Sequence, residues 1–320
     1  MPTIRLFKVG ADPEFGFLNK GGQIVNASRV LFQTNRFGLD GCDAIAEMRP
    51  NPSVNPSQVV HNLYMDFARG YQRNESIREL YWKAGSCVGD DDNYATGGHI
   101  HLGIHRTVDH KIFGDRSQYY RELTRFMDCY LSQVTRLLED PDELEYRLGA
   151  EYGFLGDHRS NAHGLEYRTV GSWLTSPRVA EGVLCLAQTV AYEHLHGFAH
   201  KPETMKKITT SELMPAPETN EFDEYSGEEV DVRSELKNYR KKFPTVQAHI
   251  RRFKLYKRHE LPIEFLFKLV ESKKMWFPGK DIDMKQAWGI AAAPAAKEKL
   301  LQEKILPAVK FEDIWKRARN

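Results

Sequence analysis

Segments in which apolar and polar residues alternate dominate the first half of the chain. The alternation is clearest at 12 to 18, 43 to 49, 97 to 103 and 164 to 170. Because successive side chains of a strand point to opposite faces, this pattern predicts β-strands with one apolar and one polar face. A further strand is predicted at 4 to 9, separated from the next by Gly10-Ala11, and a hairpin at 20 to 22 leads to a returning strand near 23 to 25. The chain therefore begins as a β-meander.

Apolar residues recur at helical spacing in other segments, namely 56 to 69, 76 to 83, 118 to 138 and 177 to 196. In the first of these, Val59, Leu63 and Phe67 form one stripe, which we expect to pack on the apolar side of the sheet. Residues 153 to 163 are predicted to form a loop. Strands with separate helices indicate an α+β fold built on an antiparallel β-sheet.

The composition changes after about residue 205. We predict a core domain at 1–205, an exposed acidic connection at 206–231, and a helical, basic C-terminal region at 232–320. The basic region includes the segment 251 to 258, in which arginines and lysines alternate with Phe253, Leu255 and Tyr256. Runs of this kind are typical of a solvated helix face with a core stripe.

Net charge and cysteine content exclude few functions. The 320 residues carry 45 Lys and Arg against 44 Asp and Glu, so the overall charge of +1 does not favour nucleic acid. The four cysteines are widely spaced, which predicts small buried thiols rather than a disulfide framework or a zinc site. We find no apolar run long enough to span a membrane, and expect a soluble, cytoplasmic protein.

The polar faces of the predicted strands carry ionisable residues in pairs spaced two apart. The pairs are Asp12 and Glu14, Glu47 and Arg49, His99 and His101, and Glu166 and Arg168. A solvated sheet face also places polar residues at alternate positions. These faces, however, hold Asp, Glu, His and Arg without Lys, Ser or Thr, and two of them adjoin glycines, which weaken strands unless something must come close. We therefore favour a shared site.

The chemistry of this set suits divalent metal ions and phosphate. Carboxylates with a histidine are ligands for Mg²⁺ or Mn²⁺, with Asp12 as a direct ligand or a partner of one. Arg49 and Arg168 add fixed positive charge of the kind that a polyphosphate with its metal ions requires. The chain has neither a P-loop nor a Rossmann glycine fingerprint. A nucleotide would thus be held by the sheet and metal ions.

Four motifs in a fixed order resemble those of a known family. They are G-x-D-P-E-F at 10 to 15, A-E-M-R-P at 46 to 50, G-G-H-I-H-L-G at 97 to 103 and L-E-Y-R at 165 to 168. Together they resemble the phage-encoded carboxylate-amine ligases (amidoligases) of the glutamine synthetase and glutamate-cysteine ligase superfamily. The resemblance covers about residues 8 to 200. Asp12 stands where relatives often have Glu, and Asp40 adds a nearby acidic group.

The resemblance implies an antiparallel sheet whose concave face binds ATP and two or three divalent ions, with helices on the other side. By this resemblance, Glu14 and Glu47 would bind the metal ions nearer the substrate and the γ-phosphate. Asp12, His99 and Glu166 would bind the metal ions nearer the β- and γ-phosphates. It places His101 beside the nucleotide, and Arg49 and Arg168 in contact with phosphate or with a developing acyl phosphate.

The activity implied is ATP-dependent formation of an amide from a carboxylate and an amine. The carboxylate would be phosphorylated to an acyl phosphate, and the amine would displace phosphate, so that ADP and phosphate are released. The resemblance implies small-molecule or peptide substrates and, for a phage gene, the host cytoplasm. No membrane or nucleic-acid partner is expected, and homo-oligomerisation stays open.

Two other classes of protein share parts of this pattern. A cupin-type metal oxygenase or hydrolase also uses H-x-H on a strand, but its usual Glu three or four residues later is replaced here by Ile104 and His105. A nucleic-acid-binding module could instead use the basic C-terminal helices. The first alternative predicts tight Fe²⁺ binding that ATP does not affect, and the second predicts salt-dependent binding of nucleic acid that is lost on removing residues 251 to 258.

Overall fold

A single strand, β1 (Lys8–Leu18), runs through the main sheet and pairs along both of its edges. The computed structural model describes residues 6–89, 93–104, 116–198, 231–272, 283–291 and 311–319. In these residues every strand pairing is antiparallel. The protein is thus a mixed α and β structure with a large antiparallel sheet and helices, as the sequence predicts.

The main sheet has eight strands in its described part. Besides β1 these are β2 (Ile24–Val25), β3 (Phe37–Leu39), β4 (Ala46–Met48), β5 (Tyr81–Lys83), β8 (Gly98–Gly103), β9 (His158–Asn161) and β10 (Gly164–Tyr167). The path across the sheet is β3-β4-β1-β8-β10-β9, and β2 and β5 pair with the end of β1. A separate hairpin pairs β6 (Cys87–Val88) with β7 (Tyr94–Ala95).

The helices of the described residues are α1 (Ala27–Val30), α2 (Pro56–Arg73), α3 (Arg116–Met127), α4 (Gln133–Arg136), α5 (Pro141–Gly149), α6 (Pro177–Glu193), α7 (Val232–Ile250), α8 (Glu260–Glu271), α9 (Met284–Ala287) and α10 (Phe311–Arg319). A π-helical turn at Asp128–Ser132 joins α3 to α4, and another at His194–Phe198 follows α6. Short 3₁₀ turns lie at Glu75–Ile77 and Tyr256–Arg258. No helix in the described part of the chain is long and apolar enough to cross a membrane.

The apolar face of the sheet packs against α2 and α6. Both helices begin with a proline in the first turn, directly after a capping residue. The side chain of Asn55 accepts from the Ser57 N–H, and the side chain of Ser176 accepts from the Val179 N–H. Val59, Leu63 and Phe67 of α2 are fully buried, as their helical spacing predicts. Aromatic side chains fill the space between layers, with the rings of Phe15, Phe67 and Trp82 centred 5.6 to 5.9 Å apart.

The described residues after 231 pack on this same core. Helix α8 lies against α6, where Gly182 allows Leu266 to approach the backbone. Phe253, Leu255 and Tyr256 of the basic segment are buried. Arg251 of that segment pairs with Glu264 at 2.8 Å. Packing therefore accounts for the apolar residues that alternate with its charges.

Several local predictions are wrong. Strand β1 continues through Gly10-Ala11 without a break, and Tyr81–Lys83 is a strand where a helix is predicted for 76 to 83. The predicted loop at 153 to 163 contains β9, and Cys42 is exposed although the other three cysteines are buried. Residues 206–230 of the predicted acidic connection lie outside the described residues.

Candidate functional site

Strand register brings the four predicted pairs together on one face of the sheet. Asp12 on β1 lies opposite His99 on β8, and Glu14 on β1 lies opposite Glu47 on β4. On its other edge β8 places His101 opposite Glu166 of β10. The intervening residues of these strands point to the apolar core, where for example Ile100 is fully buried. Alternation along each strand thus produces a polar cluster opposite the helices.

His99 lies at the centre of the carboxylates. Its Nδ1 atom is 3.6 Å from Asp12 Oδ1, 3.7 Å from Glu14 Oε1 and 3.8 Å from Glu166 Oε1. The histidine is 3% exposed and Glu14 is 1% exposed, so water screens these groups little. Three carboxylate oxygens therefore converge on one ring nitrogen inside the protein.

Tyr152, a residue that the sequence analysis does not select, completes this cluster. Its hydroxyl donates to Glu14 Oε1 at 2.7 Å and lies 2.6 Å from His99 Nε2. With Glu14 ionised, the single hydroxyl proton goes to the carboxylate, and the tyrosine oxygen then accepts from the His99 Nε2–H. The Nδ1 atom consequently presents a lone pair to the three carboxylates. In this protonation state, a cation between the ring nitrogen and the carboxylate oxygens would relieve their mutual repulsion.

Glycine at position 97 makes room for this arrangement. A Cβ atom there would lie 2.5 Å from His99 Nε2 and 2.7 Å from the Tyr152 hydroxyl, closer than such contacts allow. The Gly97 N–H also donates to Glu14 Oε2 at 2.7 Å. The glycine in front of the histidine strand is therefore explained by close approach.

Burial and mutual repulsion perturb the carboxylates. Burial, reinforced by the nearby Asp40, raises the pKa of Glu14 to about 8. Burial, reinforced by Asp12, likewise raises the pKa of Glu47 to about 8. Burial lowers the pKa of His99 to about 3, so that its ring is neutral at pH 7. Buried acids that repel one another and a neutral imidazole are the electrostatic signature of a cation site.

Asp12 and His101 form the more exposed part of the cluster. His101 Nε2 lies 2.8 Å from Asp12 Oδ1. Burial would raise the pKa of Asp12, but the contact with His101 holds it below its usual value. The same contact raises the pKa of His101 although burial opposes this. These two residues and Glu166 offer ligand atoms that all lie within 4.8 Å of one another.

Arginines border the carboxylates on two sides. Arg168 Nη1 is 3.1 Å from Glu166 Oε1, and its Nε is 3.5 Å from Asp157 Oδ2. Arg49 pairs with Glu47 and donates to the Leu39 carbonyl at 2.7 Å, while 42% of its side chain stays exposed. Both guanidinium groups are thus close to the cluster, and that of Arg49 remains accessible to an anionic ligand.

A third arginine, Arg147, supports the site from inside the core. It is fully buried and donates to three successive carbonyls, those of Arg168, Thr169 and Val170, at 2.8 to 3.0 Å. Its guanidinium also lies 5.0 Å from the centre of the Tyr152 ring. Arg147 therefore fixes the backbone that follows β10 together with the tyrosine.

The cluster fits a divalent metal ion. Neighbouring ligands of Mg²⁺ are about 3 Å apart and opposite ones about 4 Å, from bonds of 2.0 to 2.1 Å. Asp12, His101 and Glu166 could close on such an ion with small side-chain movements, since their ligand atoms lie within 4.8 Å. Asp12 Oδ1, Glu47 Oε2 and His101 Nε2 are buried without a hydrogen bond of good geometry in the described chain. Oxygen-rich sets with one imidazole suit Mg²⁺ or Mn²⁺.

The sequence profile of one protein family matches residues 9–290. Its description is Phage phiEco32-like COOH.NH2 ligase-type 2. The chain belongs to this family. The family resemblance expected from the four motifs is confirmed. No curated protein matches the chain.

A crystal structure of a bifunctional glutathione synthetase from Pasteurella multocida is similar over most of this chain. The two share 11% identity with a TM-score of 0.49, over 98% of this chain and 51% of the other. The chain therefore spans about half the length of that protein.

All eight residues predicted for the site lie on or beside the polar face of the sheet. The geometry groups His101 with Asp12 and Glu166, whereas the resemblance places His101 beside the nucleotide and assigns His99 to the metal. Sequence reasoning missed Tyr152 and Arg147, which lie on neither a strand nor an alternating segment. Glu151, at φ 56°, directs the chain just before Tyr152, but nothing in its identity announces a left-handed turn.

Replacing Tyr152 with phenylalanine should weaken Mg²⁺ or Mn²⁺ binding by about 10- to 100-fold, the usual cost of losing a group that orients a metal ligand. The ring and its contacts with Arg147 and Arg168 would remain, so unfolding should change little. Calorimetric metal titration measures the effect. Tyr146→Phe is the matched control, since that hydroxyl bonds only the Asn93 carbonyl. Equal metal affinity in both variants would contradict a positioning role for Tyr152.

Proposed function

We propose that the protein is an ATP-dependent ligase that joins a carboxylate to an amine through an acyl phosphate, on a concave sheet face of the glutamine synthetase and glutamate-cysteine ligase kind. The observation that supports this most is the His99 Nδ1 atom, which faces three carboxylate oxygens at 3.6 to 3.8 Å. Such a centre holds divalent cations, and its bordering arginines suit phosphate. Metal-bound phosphate is what an ATP-dependent ligase must handle.

The residues divide by position. Glu14 and Glu47 are adjacent across β1 and β4, at the end of the cluster nearer Arg49. Asp12, His99, His101 and Glu166 lie along β1, β8 and β10. We assign the first group to ions near the substrate carboxylate and γ-phosphate, and the second to ions on the β- and γ-phosphates. Bound Mg²⁺ or Mn²⁺ would neutralise the charge of the phosphates in the reaction.

The arginines would act on the transferring phosphoryl group. Arg168 is held in place by Glu166 and Asp157, so its guanidinium is preorganised rather than free to rotate. Arg49 keeps an exposed guanidinium beside Glu47. Fixed donors of this kind stabilise charge that develops as the γ-phosphate moves, without reorganisation during the step.

The proposed reaction has two transfers. A carboxylate oxygen of the substrate attacks the γ-phosphorus, and the bond from that phosphorus to the β-phosphate oxygen breaks, which releases ADP. The amine nitrogen then attacks the acyl carbon, phosphate departs with its oxygen, and the amine loses a proton. No protein nucleophile is needed, and the chain shows no Ser-His or Cys-His motif that would supply one. ATP and small-molecule or peptide substrates place this reaction in the cytoplasm, the host's for a phage gene.

Hydroxylamine tests the acyl phosphate directly. With ATP, Mg²⁺ and a panel of amino acids and peptidoglycan fragments as carboxylate substrates, the protein should form a hydroxamate and one equivalent each of ADP and phosphate. Arg168→Lys should slow this reaction more than it weakens nucleotide binding, because lysine lacks the two-pronged guanidinium. Release of AMP and pyrophosphate instead of ADP would reject the phosphoryl-transfer mechanism even where ligation occurs. Tight Fe²⁺ binding with no effect of ATP would favour the H-x-H oxygenase alternative.

A further inference from the structure

A cavity lies on the opposite side of strands β3 and β4 from the carboxylate cluster. In these strands Gly38 pairs with Glu47 on the site face, whereas Phe37 pairs with Met48 and both point into the core. Phe37 lines the cavity, so the cavity opens on the helix side of the sheet. Its volume is about 310 Å³, which is at the lower end of small-molecule sites.

The cavity wall joins the end of α2 to the loop that precedes β3. Asn74, the residue after α2, donates from Nδ2 to the Gly70 carbonyl at 2.7 Å, and its Oδ1 accepts from the Phe32 N–H. These bonds tie the loop to the helix. Gly70 allows the Phe37 ring to lie directly on the helix backbone, where a Cβ atom would collide with it. The cavity is therefore shaped by fixed backbone and packed side chains.

Charge inside the cavity is of both signs. Asp66 is 6% exposed and lines the wall, and its Oδ2 atom is buried without a hydrogen-bond partner in the described residues. Its Oδ1 atom lies 3.4 Å from Arg69 Nη1. Arg36 and Arg73 line the same cavity. The Arg36 guanidinium donates a hydrogen bond to Asn51 Oδ1, whereas Arg73 has no polar partner within the described chain. One buried acceptor thus faces a rim of three cations.

An apolar surface stands beside these charges. The side chain of Phe32 is 70% exposed, which makes it the most exposed large hydrophobic residue of the described chain. It lines the cavity together with the buried Phe37. The Phe32 ring therefore offers a ligand an apolar contact beside the converging polar groups of the cavity.

We propose that this cavity binds an α-amino acid or short peptide as a zwitterion, with the ammonium group on Asp66, the carboxylate on the arginines and an apolar side chain against Phe32. A simple anion would be repelled by the Asp66 oxygen that has no hydrogen-bond partner, and a simple cation would be repelled by the three guanidinium groups. Only a ligand with both charges satisfies the two walls at once. This site is separate from the proposed catalytic site, and the proposal does not depend on the ligase mechanism.

Calorimetry on the full chain, without ATP and with a chelator present, tests the proposal. The probes are L-phenylalanine, N-acetyl-L-phenylalanine, which lacks the cation, and L-phenylalaninamide, which lacks the anion. We expect L-phenylalanine to bind at least about tenfold more tightly than either derivative, since each charge-assisted contact is worth that much or more. Absence of L-phenylalanine binding up to about 10 mM, well above the millimolar range of weak sites, would overturn the proposal.

Two variants locate the binding. Arg73→Gln should weaken L-phenylalanine binding about tenfold, while Arg29→Gln, an exposed arginine on the neighbouring helix α1 and not on the cavity wall, should have no effect. Asp66→Asn should weaken L-phenylalanine by at least tenfold but leave N-acetyl-L-phenylalanine unchanged or tighter. If Asp66→Asn does not fold, the exposed Arg73 still decides the question. Binding that neither variant changes would place the amino acid elsewhere and reject this site.

Discussion

Replacing Glu47 with glutamine is expected to reduce hydroxamate formation by at least about 100-fold. Even the loss of a residue that only hydrogen-bonds to a metal ligand lowers metal affinity or activity by about 10- to 100-fold. Glu47 is buried next to Arg49, directly across from Glu14. Glutamine keeps the shape and removes the negative charge that a divalent ion needs. In contrast, the metal-free variant should be more stable than the wild type above pH 8, because the glutamine relieves repulsion from Glu14 and Asp12. A substitution that lowers activity but raises stability indicates that the carboxylate serves the function of the protein rather than its folding.

Thermal unfolding with and without Mg²⁺ or Mn²⁺ measures the stability side of this prediction. At 100 times the dissociation constant the metal should stabilise the wild type by about 2.7 kcal/mol, and this gain should disappear in Glu47→Gln. Glu75→Gln, at an 87% exposed side chain, is the matched control and should keep it. Equal metal stabilisation in wild type and Glu47→Gln would show that Glu47 is no ligand.

The pH dependence follows from the raised pKa values. The pKa of Glu47 is about 8 in the folded metal-free protein and 4.5 without burial, so the group favours folding below pH 4.5 and this contribution is lost as the pH rises towards 8. Metal binding must expel the same proton. Metal affinity should therefore rise from pH 6 to about 8 and then level, with a shallower rise in Glu47→Gln.

The sequence predicted the polar face because strand alternation is a local property. Each pair of site residues lies within three positions of chain, and the core-facing residues between them, such as Ile100 and Tyr167, follow the same period. What periodicity could not give is which strands pair. The opposition of Glu14 to Glu47, and of Asp12 to His99, is a matter of register between distant segments.

Failures of prediction have similarly definite causes. Gly10 suggested a break, but it pairs with His101 within β1. Glycine suits this position because a Cβ atom would lie 3.3 Å from Pro52 and 3.4 Å from His101. The segment 76 to 83 has helical spacing, yet Tyr81–Lys83 pairs with β1 and places Trp82 in the aromatic core. Tertiary packing overrode local propensity there. Tyr152 reaches Glu14 from a position 138 residues away, a contact that no local pattern encodes.

Substituting Arg147 with methionine is expected to lower the free energy of unfolding by about 3 kcal/mol, since it removes three buried hydrogen bonds. The Arg168 and Thr169 carbonyls lose the donor that Arg147 supplies, and the Val170 carbonyl keeps the Gly98 N–H at 2.9 Å. Methionine fills much of the same volume, so the loss reports on hydrogen bonding more than on a cavity. The backbone of 168 to 170 carries Arg168 and follows directly from Glu166, and Tyr152 packs on the same guanidinium. Catalysis should therefore fall with stability, although Arg147 itself contacts no substrate.

Urea unfolding and hydroxamate formation together separate the two effects of Arg147. Arg78→Met is the matched control, because Arg78 also donates to two carbonyls, those of Tyr71 and Gln72, but from a half-exposed side chain. Water can replace those donors, so the control should cost less than about 1 kcal/mol. Arg147→Lys serves where the methionine variant does not fold, since lysine keeps the charge but cannot span three carbonyls with a planar group. If Arg147→Met lost no more stability than Arg78→Met, the three buried bonds would not be what holds the backbone that follows β10 and carries Arg168.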